Sequence, residues 1–364
     1  MTAVRVISWP YQDGLPEIGM GAGPTVLARG LGAVTVPAVE ARRPEIGRII
    51  ELDRRLAAAV RAATEAGAVP LVLAGQCMSA LGTVAGIGAE GLGVVWLDAH
   101  ADMDTPEDNR SGFFDVMALS VLTGTGWKAL RETIPGFAPV PEEHVVLAGA
   151  RDLEPYQRER IGRSAVHAAL GAFGPEQLAR ALGALRGEVE RVYLHVDLDV
   201  LDSRAGRANE YAAPGGPGPA EVLAAVDAVF DAFPVAAAAL TAYDPAEDTN
   251  GRPHPRAGRA RLIPAAGPAR IRPRPEGRAP TANTPRWTRC RGPCRTRAPT
   301  ASRERRIASH RLPRQAQPAR RPLRATSTSS SVGIVGPRPT NSTIAAMDHA
   351  RTVADDARGN TTRR

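Results

Sequence analysis

Between residues 4 and 243, short β-branched apolar runs alternate with longer segments rich in Ala, Leu and Arg whose apolar positions recur at helical spacing. That alternation predicts parallel strands joined by helical crossovers, because a strand buried on both faces is apolar throughout while a covering helix is apolar on one stripe. Strands are predicted over 4–8, 70–73, 94–97, 145–148, 192–196 and 236–242. Helices are predicted over 45–66, where Ile46, Ile49, Ile50, Leu52, Leu56 and Val60 share a face, and over 219–232, opening on Pro219. The fold class expected is α/β: a three-layer αβα sandwich with a mainly parallel sheet, in one domain spanning residues 1–252.

Beyond residue 252 the periodicity stops. Pro, Arg, Ala, Thr and Ser dominate, and Trp287 is the only aromatic residue. Such a segment buries too little apolar surface to offset an ordering cost of roughly 1–2 kcal/mol per residue. A disordered tail is therefore expected over 253–364. It reads either as an arginine-rich arm or as GC-rich coding sequence translated in the wrong frame.

Charge sharpens the boundary. The chain has 46 basic residues, of which only Lys128 is lysine, and a net charge of +8. Residues 253–364 carry 25 Arg against 5 acidic residues, so the tail is strongly basic and residues 1–252 are net acidic. Arg-rich tails bind nucleic acid through phosphate neutralisation, but one with a single aromatic lacks stacking platforms, so nucleic acid is a disfavoured partner. Three cysteines, Cys77, Cys290 and Cys294, do not make a disulfide framework and fit a reducing cytoplasm. No apolar run is long enough to span a membrane, and the N-terminus lacks the pattern of a secretory leader.

Two segments carry the chemistry. Val95-Trp96-Leu97-Asp98-Ala99-His100-Ala101-Asp102 runs from an apolar strand into carboxylates around one imidazole, and Val192-Tyr193-Leu194-His195-Val196-Asp197-Leu198-Asp199 repeats the logic. In open parallel sheets ligands bind at the carboxyl ends of strands, where both sets converge. Carboxylates with one imidazole suit a hard or borderline divalent ion: Mn²⁺, with Mg²⁺ and Zn²⁺ as alternatives. Taken singly, each Asp is equally a cap or turn former, and His195 a hydrogen-bonded core histidine. Together, several carboxylates this close would repel one another without a cation.

These segments resemble the ureohydrolase family (arginases, agmatinases and formimidoylglutamases), which carries a DAHxDxxTP stretch and a later DxD stretch. The resemblance extends to Met20-Gly21-Ala22-Gly23-Pro24, to Gly149-Ala150-Arg151-Asp152-Leu153-Glu154-Pro155 and to Tyr243-Asp244-Pro245, and covers about residues 4–252. It implies two Mn²⁺ ions bridged by Asp98 and Asp197, with Asp102 and Cys77 on the first and His100 and Asp199 on the second. It also implies hydrolysis of a linear amidine or guanidine C–N bond by a metal-bound hydroxide. Homo-oligomers are common in that family.

Departures from the family pattern matter as much. Where the family reads GGDH, this chain has Ala74-Gly75-Gln76-Cys77, so Cys77 is either a thiolate ligand or a small buried apolar residue. The SGNxHG segment becomes Ser111-Gly112-Phe113-Phe114-Asp115-Val116. Asp115 then stands for the proton-shuttling histidine, or serves as N-cap of a helix over 116–122. Ser111 and Glu154 are the implied substrate contacts, with Phe113 in place of an amide. The guanidinium carboxylate of E-x-N-P is replaced by Ala242, which makes arginine itself a poor substrate. A noncatalytic metal- or ligand-binding relative is the alternative reading.

Overall fold

A computed structural model describes residues 3–248. The expectation of a disordered tail over 253–364 falls outside them. Among the described residues ten strands and eight α-helices are found: β1 (Val4–Trp9), β2 (Tyr11–Gln12), β3 (Leu15–Pro16), α1 (Gly23–Leu27), β4 (Val34–Thr35), α2 (Glu45–Glu65), β5 (Val69–Ala74), α3 (Ser79–Ile87) and β6 (Leu92–Leu97) come first. Then follow α4 (Ala118–Leu122), α5 (Lys128–Arg131), β7 (Val145–Ala148), α6 (Pro155–Arg163), β8 (His167–Ala169), α7 (Pro175–Ala184), β9 (Arg191–Asp197), α8 (Pro219–Ala232) and β10 (Val235–Thr241).

Eight of the strands form one sheet in the order β4-β1-β5-β10-β9-β6-β7-β8, every neighbouring pair parallel. Side chains alternate across it, as strand geometry requires. Val72, Val94, Trp96 and Tyr193 enter one core with Ile49, Leu52, Leu56 and Val60 of α2. Leu71, Leu73, Val95, Leu97, Leu194 and Val196 enter the other with Leu178 and Leu182 of α7 and Val226 and Val229 of α8. The result is a three-layer αβα sandwich. The predicted strands and both predicted helices are present, with ends displaced by up to two residues.

Register places the chemistry. Thr241 pairs with Asp197, Leu240 with Leu73, and Leu97 with Val196. The carboxyl ends of β5, β10, β9 and β6, four adjacent strands at the middle of the sheet, therefore finish level. Cys77, Ala242, Asp197 and Asp98 all emerge from that one edge. The turn after β5 is held tightly: a Cβ on Gly75 would collide with the Tyr11 carbonyl and the Gly21 backbone, so only glycine allows this approach.

The packing of α2 on α3 also relies on absent side chains, since a Cβ on Gly82 would lie 2.6 Å from the Asp53 carbonyl. Asp53 itself is fully buried, and neither carboxylate oxygen has a hydrogen-bond partner. Burial pushes its pKa well above the ordinary value; the nearby Gly82 N–H opposes this without forming a hydrogen bond, and the Asp115 charge adds to it. Because the folded-state pKa is raised, Asp53 costs no ionisation energy below its unfolded pKa, and stability is lost as pH rises from there towards the folded value. Asp53→Asn is expected to flatten that part of the pH–stability curve in denaturant titrations. An unchanged slope would show that Asp53 is not strained by ionisation.

Candidate metal centre

At the end of β6, Asp98 is buried, with Oδ2 accepting from the Trp96 indole N–H at 2.9 Å and Oδ1 from the His100 backbone N–H at 2.7 Å. His100 turns back beside it, its Nδ1 lying 3.4 Å from Asp98 Oδ1 and 3.3 Å from Asp199 Oδ2. Asp199 follows β9 in a short 3₁₀ turn, where Oδ1 accepts from the Ala99 N–H at 3.2 Å. Asp197, the last residue of β9, accepts the Asp199 N–H on Oδ1 at 2.8 Å and the Cys77 thiol on Oδ2 at 3.0 Å.

The side chains sort into two groups, Cys77 with Asp98 and Asp197, and Asp98 with His100 and Asp199, whose ligand atoms within each group lie within 4.8 Å of one another. Asp98 belongs to both. Asp102 belongs to neither, although it is buried near enough for the charges of Asp98, Asp115, His100 and Asp199 to act on it. It sits at a left-handed φ of 50°, with its carbonyl accepting from the N–H groups of Leu119 and Ser120 at the start of α4. A non-glycine residue held in that conformation by a helix start has its side-chain direction fixed.

Burial and mutual repulsion set the electrostatics of this cluster. Burial, then repulsion from neighbouring carboxylates, raises the pKa of Asp98, Asp102 and Asp197 above the usual carboxylate value. Burial and the same carboxylates raise the Cys77 thiol well above its ordinary value. His100 moves upward although burial opposes it, because Asp199 and Asp98 favour the imidazolium. Asp199 moves downward against burial, through the His100 charge and hydrogen bond.

Asp115 is buried, its carboxylate accepting from the N–H groups of Cys77 at 3.0 Å and Met78 at 2.8 Å. Burial, outweighing those two bonds, pushes it up to about 7. Its expected role as N-cap of a helix over 116–122 is not what the fold uses. Asp115 instead opens a 3₁₀ turn, and its side chain satisfies free N–H groups entering α3, a different helix. Ser111 is exposed and occupied with Asn109 in a local turn, its hydroxyl donating to Asn109 Oδ1 at 2.9 Å. Glu154 is exposed at the N-cap of α6, where its N–H donates to Gln157 Oε1 at 2.8 Å. Neither joins the buried groups.

His195 is the core histidine of the two readings. It is fully buried and stacked on Trp96 with ring centroids 3.6 Å apart, and its pKa falls to about 3 through burial. Nδ1 of the neutral ring lies 2.8 Å from the Tyr193 hydroxyl and Nε2 3.3 Å from Thr241 Oγ1, while Thr241 stands 3.3 Å from Asp197 Oδ2. Thr241 was legible as the one polar residue closing an alanine-rich strand, but sequence reasoning gave it no role.

Asn209 was missed altogether. Fully buried, it donates to Asp199 Oδ2 at 3.2 Å and to the Ala242 carbonyl at 2.9 Å, and its Oδ1 accepts from the Tyr211 N–H at 2.9 Å. It lies in a loop without periodicity, where nothing in the sequence marks a buried amide. Arg151, in the segment after β7, has a structural role that the sequence pattern does not signal. Its guanidinium gathers the carbonyls of Gly149, Asp199, Val200, Leu201, Ala213 and Pro214, tying the loop after β9 to that after β7. Asn209→Ala leaves two buried acceptors short of a donor, so a loss of about 1–3 kcal/mol is expected in denaturant unfolding. A loss below a few tenths would show that the amide is dispensable.

Residues 25–260 match the family described as Arginase family. The chain belongs to the arginase family. It is 34% identical over 171 residues to an arginase of Bacillus caldovelox, a stretch covering 45% of this chain and 57% of that relative, so the match spans little more than half the relative's length. It is 30% identical over 231 residues to an arginase of Staphylococcus aureus strain COL, covering 55% and 76% of the two chains. The native structure of the Bacillus caldovelox arginase superposes with a TM-score of 0.60 at 26% identity, over 68% of this chain and 93% of that one. The architecture is that of the arginase-family hydrolases. Among the described residues no helix is long and apolar enough to cross a membrane.

Proposed function

We propose that the chain is a metal-dependent hydrolase of a linear amidine or guanidine C–N bond. The observation that carries this is the pair of ligand groups sharing Asp98 at the ends of the adjacent strands β6 and β9. The donor set fits two divalent cations. Buried carboxylates whose mutual repulsion raises their pKa values lack compensation until a cation lies between them, and carboxylate with imidazole suits Mn²⁺. Asp98 and Asp197 would face both ions, Cys77 and Asp102 the first, His100 and Asp199 the second. Bound there, the pair would lower the pKa of a water molecule and so supply a nucleophile near neutral pH.

The protein's own residues do the rest. Asp115, with a pKa of about 7, holds or releases a proton at its carboxyl oxygens near working pH, which is what the leaving amine requires. Trp96 and Asn209 donate to the carboxylates of Asp98 and Asp199, and hydrogen bonds of this kind hold candidate ligand oxygens in place. Ser111 and Glu154, on exposed loops, would meet the polar end of a substrate. At the guanidinium position Ala242 offers no carboxylate, so a substrate other than arginine is favoured. The same alanine, with Cys77, supports the second reading, a noncatalytic metal- or ligand-binding relative.

Ammonia and urea release from linear guanidino and amidino compounds, with Mn²⁺-loaded full-length chain, separates the two. Hydrolysis of at least one compound faster than arginine, lost on chelation, supports the enzyme. Metal binding with no hydrolysis across the panel supports the noncatalytic relative.

A further inference from the structure

The two metal positions are chemically unlike each other. Around the second, Asp98, His100 and Asp199 offer only oxygen and imidazole nitrogen. Around the first, Cys77 brings sulfur to Asp98 and Asp197. Cys77 packs among the buried residues of one core, and its sulfur also faces polar groups. Sγ lies 3.0 Å from Asp197 Oδ2 and 3.4 Å from Thr241 Oγ1, both polar oxygens on the metal edge of the sheet. The backbone holds it there, since its N–H donates to Asp115 and the adjoining Gly75 turn admits no side chain.

Resting on the dinuclear reading above, we propose that the chain holds a mixed pair: a thiophilic ion of the Zn²⁺, Fe²⁺ or Co²⁺ class on the Cys77 thiolate with Asp98 and Asp197, and a hard ion of the Mn²⁺ class at His100 and Asp199. Thiolate sulfur selects softer ions, while carboxylate and imidazole accept Mn²⁺. Binding replaces the Sγ–H bond by a sulfur–metal bond, and the proton leaves to solvent. Asp197 Oδ2, which now accepts that thiol hydrogen, is freed to face the same ion.

The test is Co²⁺ titration of the metal-free full-length chain followed by near-ultraviolet absorption, with Cys77→Ser and Cys77→His beside the wild type. Cys290 and Cys294 are replaced by serine in all three proteins, so that a thiolate band reports on Cys77 alone. The expected result is a thiolate-to-cobalt charge-transfer band that grows with the first equivalent in wild type and is absent from both variants. In parallel, wild type given one equivalent of Zn²⁺ and then excess Mn²⁺ should retain one of each after gel filtration, whereas Cys77→His should take up Mn²⁺ at both positions. Bound Co²⁺ without a band, or with a band that survives Cys77→Ser, overturns the mixed pair and leaves the dinuclear reading standing. A wild-type chain that binds no metal overturns both.

Discussion

Asp98→Ala is expected to empty both metal positions at once, because Asp98 stands in both ligand groups found among the described residues. On the proposed function, ions held there would supply several kcal/mol of transition-state stabilisation as Lewis acids, so hydrolysis should fall by roughly three orders of magnitude or more. Stability should respond with opposite signs in two states. With metal, the variant should melt below the wild type, having lost ligand-linked stabilisation. Without metal, it should match or exceed the wild type at neutral pH, since Asp98 contributes to the repulsion that raises Asp102 and Asp197. Those raised carboxyls also fix the pH dependence of the metal-free wild type. Their folded pKa values exceed the unfolded ones, so the native state binds more protons in that window and stability declines as pH rises through it. Asp199, held low by His100, contributes in the other sense. Thermal melts of both proteins, with metal and after chelation, decide the matter; a variant that melts lower in both states would make Asp98 a packing residue.

The second large effect concerns the substrate. Ala242→Glu is expected to raise kcat/KM for arginine by about a hundredfold or more. A missing partner to a buried guanidinium costs on the order of 3–5 kcal/mol, and the variant supplies it. The backbone is already set for the change. Ala242 is buried at a left-handed φ of 60°, its N–H donating to the Ala74 carbonyl at 3.3 Å and its own carbonyl accepting from Asn209. Alanine and glutamate bear similar left-handed strain, but a carboxylate at this buried position has no partner until a cationic substrate arrives, so the free variant should melt below the wild type. Steady-state kinetics with arginine test this; an unchanged kcat/KM in a folded, metal-loaded variant would place the substrate's cationic end elsewhere.

How far the sequence was legible follows from what kind of pattern each feature leaves. The sheet and its long helices were visible because burial imposes a period: Ile49, Leu52, Leu56 and Val60 on α2, and the unbroken apolar runs of β6 and β9, have no other use. The candidate ligands stood out because Asp98 and His100 come just after β6 while Asp197 closes β9 and Asp199 comes just after it, so their strand-end position could be read from local order. Hidden were features set by contacts between segments distant in the chain. That Asp115 would satisfy the entrance to α3 depends on a contact between positions 38 apart in the chain. That Asn209 would join Asp199 to Ala242 depends on the level ends of β9 and β10. Asp53 was read only as part of a helix, because a polar residue beside an apolar stripe normally faces water. It is the close approach of α3, through Gly82, that buries it.

The most direct test is the number of metal ions per chain, measured by elemental analysis on the full-length protein purified with Mn²⁺ and Zn²⁺, alongside Asp98→Ala. Two ions in the wild type and none in the variant are predicted by the shared-carboxylate centre. No metal in the wild type would contradict it, and two ions retained in Asp98→Ala would show that the metal binds elsewhere.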